Sequence, residues 1–152
     1  MTTREMKKTS SFKLSKSEVE RIKVMVPTMV ELRIIDLMRD YRAIRKAYYG
    51  KTIPPVEEVL LRFLPRHEIK RLSGLNEEVD GLCLFGAYRG VPCPYAILLA
   101  EDMGTRRIRH TLLHEVAHMK INLKFGRMMG EGKHWNNEMR RLMRLGAFDG
   151  WL

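Results

Sequence analysis

Cysteine is scarce in this chain, with two among 152 residues, and no apolar run approaches the roughly 20 residues that a bilayer-spanning helix needs. Two cysteines cannot staple a small disulfide scaffold, so a hydrophobic core must hold the fold. Residues 1–8 carry Arg4, Lys7 and Lys8 but no apolar stretch of the secretory kind. The expectation is a cytoplasmic protein with no membrane partner. In a reducing compartment Cys83 and Cys93 would be free thiols, and their places on either side of a predicted hairpin turn would let them face each other. Low-complexity tracts and internal periods are also missing, which excludes solenoids and propellers. What is present is a hydrophobic fraction of 45%, enough for one ordinary core. One domain over residues 26–152, monomeric, behind a basic extension over residues 1–25, is the organisation expected.

Charge is abundant and unevenly spread. Lys and Arg number 28 against 18 Asp and Glu, for a net +10. Residues 1–25 hold 7 basic and 3 acidic side chains, residues 26–104 hold 11 of each, and residues 105–152 hold 10 and 4. Within the last segment, Arg106, Arg107 and Arg109 open one predicted helix and Arg140, Arg141 and Arg144 line another. Such clusters often do no more than solvate a helix face. Basic residues at a helix N-terminus, however, oppose the macrodipole and so do not serve helix stability. They point instead to an anionic partner such as DNA, bound through its backbone.

The segment His114-Glu115-Val116-Ala117-His118 is an HExxH motif inside a run with helical periodicity. Thr105 is a candidate N-cap, the apolar positions run from Ile108 to Leu123, and Gly126 is a candidate C′ residue, which predicts a helix over 106–125. Residues four apart on a helix share a face, so His114 and His118 can aim at one ion, and neutral imidazole suits Zn²⁺. Glu115 would take a proton from a water molecule beside that ion and pass it to a leaving amine. His110 forms another i, i+4 pair with His114. It lies eight residues from His118, about 12 Å along the axis, so the three cannot share one ion, and a cleft-lining or surface position is expected. His67 is expected in a loop or at a helix start.

Catalytic zinc takes a third protein ligand. Residues 130–139, Gly-Glu-Gly-Lys-His-Trp-Asn-Asn-Glu-Met, offer Glu131 and His134. Together with the HExxH helix, this segment resembles the SprT-like (Spartan-type) zinc metallopeptidase domains, whose next helix opens on a Gly-His-Gly-Lys/Pro-x-Phe/Trp-x-x-x-Met pattern. Gly130, Gly132, Lys133, Trp135 and Met139 fit it, but the family's third histidine falls on Glu131. Register favours Glu131 as third ligand, giving a His₂Glu site, and His134 is the alternative. The resemblance implies an α+β, zincin-like minimal domain: a long N-terminal helix, a small three-stranded sheet, the HExxH helix and a C-terminal helix.

Periodicity agrees with that order. A Thr28–Glu31 capping box and an apolar face from Ile34 to Tyr48 predict a helix over 28–49. Strands are expected over 59–64, 82–88 and 95–100, the last two joined through residues 89–94 as a hairpin. Trp135, Met139, Leu142 and Met143 would mark one side of the last helix, which Gly146 ends. In the family, the strand before the HExxH helix tends to rim the cleft, so residues 95–100 are expected as an edge that pairs with a peptide. The function so implied is a zinc-dependent endopeptidase acting on protein substrates, including proteins associated with DNA. Two alternatives stay open: a non-catalytic nucleic-acid-binding protein stabilised by its metal, and a metallohydrolase of small substrates.

Overall fold

The computed structural model describes residues 15–17, 29–88 and 91–149. Most of the expected basic extension, the Thr28 cap, and Arg89 and Gly90 of the hairpin connection lie outside the described residues. Chain contacts define two units, Met1–Arg33 and Ile34–Leu152. Among the described residues, no helix is long and apolar enough to cross a membrane.

The second unit is mixed α+β. Helix α1, Met29–Ile44, begins before the unit boundary and buries Leu37, Tyr41 and Ile44 at spacings of four and three. It then widens into a π-helical turn, Arg45–Tyr49, which moves the buried face on by one residue, so that Tyr49 is buried and Tyr48 only half-buried. The Tyr41 hydroxyl donates to the Pro54 carbonyl at 2.6 Å, tying the helix to the loop ahead of strand β1, Val59–Leu64. After Pro65 comes a helix the sequence reading did not separate out, α2, Arg66–Ser73, ended by Gly74 at a φ of 72°. It contains only eight residues, too few for a clear period, and buries Ile69 alone.

Strands β2, Gly81–Tyr88, and β3, Val91–Ala100, complete a sheet of order β1-β3-β2. Strand β3 is therefore central: it runs parallel to β1, from Val59 opposite Tyr95 to Leu64 opposite Ala100, and antiparallel to β2. The expectation that residues 95–100 form an edge is wrong, and the edge strands are β1 and β2. The composition of the segment agrees with this outcome, because Tyr95-Ala-Ile-Leu-Leu-Ala100 is buried at every position. An unbroken apolar run is what a strand covered on both faces looks like.

Strand β3 also absorbs Pro92 and Pro94, which the sequence reading placed in the connection. Pairing with β1 starts only at Tyr95, so neither proline is asked for a hydrogen bond on that side. On the other side the register jumps from Phe85 opposite Tyr95 to Gly86 opposite Cys93, leaving Pro94 as the extra residue of a bulge. The same register sets Cys83 opposite Ile97, so the two cysteines do not face each other.

Helix α3, Thr105–Phe125, carries the HExxH motif, and α4, Lys133–Arg144, follows. Gly104, not Thr105, occupies the N-cap of α3, and its carbonyl accepts the Ile108 N–H at 2.9 Å. At the other end Gly126 adopts the left-handed conformation, φ 69°, as expected. Leu112, Leu113, Val116, Ala117 and Met119 lock α3 into the core beside β3. From α4, Met139 and Leu142 are buried and Trp135 half-buried, but Met143, expected on that side, is 59% exposed. The start of α3 is pinned by ion pairs: Asp80 accepts from Arg107 and from Arg66 at 2.7 Å each, and Arg66 also grips Asp102 at 2.7 Å.

Candidate metal centre

Because α3 is regular through the motif and fixed by its opposite face, His114 and His118 stand one turn apart, their ring centroids 5.0 Å from each other. The connection from Gly126 to Gly132 folds back so that Glu131 meets both. Its Oε2 lies 3.0 Å from His114 Nε2 and 3.3 Å from His118 Nε2. The donor atoms of these three residues all lie within 4.8 Å of one another, and they are such a group among the described residues. Tetrahedral zinc with bonds of about 2.0–2.1 Å would set neighbouring donors about 3.3 Å apart. The two distances to Glu131 match that spacing, and with all three donors within 4.8 Å of one another the group could hold a metal ion.

Trp135, from the first turn of α4, packs against both imidazoles, its ring centroid 4.8 Å from that of His114 and 5.3 Å from that of His118, nearly parallel to the latter. This contact limits rotation of both imidazoles. Burial, with the neighbouring His114 adding to it, lowers the His118 pKa, and the bond to Glu131 opposes the shift only in part. His118 is thus biased toward the neutral imidazole that a metal requires.

Glu115 follows His114 directly in the chain. It is 5% exposed and lies under strand β2, on the wall of a cleft of about 660 Å³ that also reaches His114, His118 and Glu131. Burial pushes its carboxyl up to about 8, and the charges of Glu131 and Asp80 push in the same direction. Room for it depends on Gly81. A Cβ there would come within 2.8 Å of Thr111 Cγ2, 3.0 Å of Leu99 Cδ2 and 3.2 Å of Glu115 Cγ. The charged side chains that line the cleft, Glu77, Asp80, Glu115 and Glu131, are all acidic.

The remaining sequence candidates separate. His134 is not brought to the other two histidines: its ring packs on Phe125 at 4.4 Å, about two helical turns beyond His118. The motif helix is simply too far along by Phe125 for a residue stacked there to reach His114. His110 lines the cleft, as expected, with its ring 5.0 Å from that of Phe148. His67 is exposed in the first turn of α2. Among the candidate arginines, Arg107 pairs with Asp80, Arg109 with Asp40 at 3.5 Å, and Arg141 with Glu138 at 2.8 Å. Arg106, Arg140 and Arg144 are exposed. Sequence reasoning overlooked Gly81 and Asn122. A glycine opening a strand that faces the motif helix is a weak signal for the first, and the recurrence of a polar residue four positions after His118 is the signal for the second. No family model, curated protein or solved structure matches the chain.

Proposed function

We propose that the chain is a zinc-dependent endopeptidase. The observation that carries this reading is the meeting of His114, His118 and Glu131 beside a buried Glu115 on the wall of one open cleft. His114 Nε2, His118 Nε2 and Glu131 Oε2 would hold the ion. When bound, zinc supplies Lewis-acid polarisation of the scissile carbonyl, makes water a better nucleophile, and favours the ionised form of Glu115. Glu115 then acts as the base: it accepts a proton from the attacking water as the new C–O bond forms, and donates that proton to the nitrogen as the C–N bond breaks. Its burial limits the competing solvation of the carboxylate. Trp135 keeps the two imidazoles from turning away from the cleft.

The substrate would lie along β2. Of the two edge strands it is the one on the cleft, lined there by Gly81, Leu82 and Cys83, so an extended peptide can add to it through backbone hydrogen bonds with little regard for its side chains. A polyanion does not suit a cleft whose charged walls are all carboxylates. DNA, as the partner that the basic ends favour, would therefore dock on the outer faces that hold Arg106, Arg140 and Arg144, and proteins associated with DNA would be the substrates. The test is Glu115→Gln. It should keep the fold and one equivalent of Zn²⁺ and abolish cleavage of a loosely folded protein substrate. Cleavage at the wild-type rate by that variant would refute the mechanism.

A further inference from the structure

Two of the three ligands sit on a rigid helix, but Glu131 sits on the connection between helices and is half exposed. A carboxylate on a short loop holds its place only if the loop is anchored nearby. Among the described residues, the anchor is Asn122. It occupies the turn of α3 immediately after His118, so His114, His118 and Asn122 share one face at successive spacings of four. Its side chain is 1% exposed. The Asn122 Oδ1 accepts the Met129 N–H at 2.8 Å, two residues before Glu131, and Nδ2 donates to Met128 Sδ at 3.6 Å. Its carbonyl accepts the N–H of Gly126 and, at 3.2 Å, that of Arg127. One residue thus takes three of the seven backbone N–H groups of the connection, and losing the acceptor would leave the part-buried Met129 N–H without its protein partner.

We propose that Asn122 is a positioning residue for the metal centre: by holding the Met129 N–H it sets Glu131 across from His114 and His118 and makes it the third ligand. This inference rests on the metal-binding reading above. Among the described residues the Asn122 side chain makes no hydrogen bond to His114, His118 or Glu131, so the proposed effect passes through the backbone of the connection to Glu131. Residues that orient metal ligands typically change affinity by about 10- to 100-fold when altered.

The experiment is a competition titration of Zn²⁺ against a chelator, with the metal-free full chain and its variants, each checked for folding by circular dichroism. Asn122→Leu should weaken binding about 10- to 100-fold. Glu131→Ala should weaken it comparably, and the double variant should lose no more than Glu131→Ala alone. Asn122→Asp keeps an acceptor of the same shape for Met129 and should retain affinity that the leucine variant loses. Should the leucine variant not fold, Asn122→Ser, whose hydroxyl is too short to reach Met129, takes its place with the same expected loss. Unchanged affinity in Asn122→Leu or Asn122→Ser, or losses that add in full with Glu131→Ala, would overturn the proposal. His118→Ala distinguishes the two levels: affinity unchanged in that variant would overturn the metal-binding reading itself.

Discussion

Gly81→Ala tests how tightly Glu115, the proposed base, is held. Carbon atoms pack best at about 3.5–4.0 Å. The added methyl would sit 2.8 Å from Thr111 Cγ2, 3.0 Å from Leu99 Cδ2 and 3.2 Å from Glu115 Cγ, too close to all three at once. Leu99 is fully buried on the central strand and cannot retreat, so the strain falls on Thr111 and Glu115. Overpacking of this kind costs about 1–3 kcal/mol. The smaller entropy of the unfolded alanine chain offsets about 0.4–1 kcal/mol of it. A net loss of about 1–2 kcal/mol should lower the melting temperature of a domain this size by roughly 4–8 °C. Zinc content should not change, because Glu115 is not a ligand, while kcat should fall on the order of 100-fold if the carboxylate moves by about 1 Å. Thr111→Ser removes the nearest methyl and keeps the hydroxyl that donates to Met103 Sδ at 3.7 Å, so the double variant should recover most of both losses. Calorimetry of the metal-free protein and single-turnover cleavage read the two effects. A Gly81→Ala protein that melts at or above the wild-type temperature, indifferent to Thr111→Ser, would refute the argument.

Two further outcomes follow from the geometry. Glu131→Ala should lose zinc in elemental analysis while His134→Ala retains it, and the reverse would shift the ligand register by three residues. Asp80 should contribute to acid stability: burial opposes its ionisation, but the Arg107 and Arg66 guanidiniums outweigh that and hold its carboxyl below the usual range. Because the folded pKa is depressed, its stabilisation is complete above the unfolded value of about 3.9 and is lost as pH falls through the folded value. Asp80→Asn should therefore melt lower at pH 7 by the equivalent of about 1–3 kcal/mol. The gap to wild type should narrow as pH falls through the folded value, and a gap independent of pH would be inconsistent with this pairing.

Local features of the chain were legible where a residue acts through its own helix or strand. The HExxH spacing, the Gly126 stop, the limits of β1 and the face of α1 all depend on neighbours within a turn or two. Strand order was not, because it depends on which distant segment pairs with which. The all-apolar run at Tyr95–Ala100 nevertheless carried the mark of a central strand and was outweighed by the analogy with a rim. Tyr49 escaped because a π turn changes the helical phase without altering the apolar pattern. Asn122 escaped because its partner is a backbone N–H, which no side-chain motif records. The choice between Glu131 and His134 needed the fold of the connection, since both residues are chemically able to bind zinc.

The parallel pairing of β1 with β3 has a consequence for how the chain folds. β2 and β3 are joined by a two-residue connection and can close as a hairpin within microseconds. β1, by contrast, must wait for a partner whose first paired residue, Tyr95, lies far downstream of Val59. Closing so long a loop is slow and entropically unfavourable until the hairpin offers a ready edge. During synthesis, the whole of β1 therefore emerges without its strand partner until β3 has left the ribosome. Variants that weaken the hairpin should then reveal themselves first as aggregation of nascent chains, before any loss of stability in the finished protein.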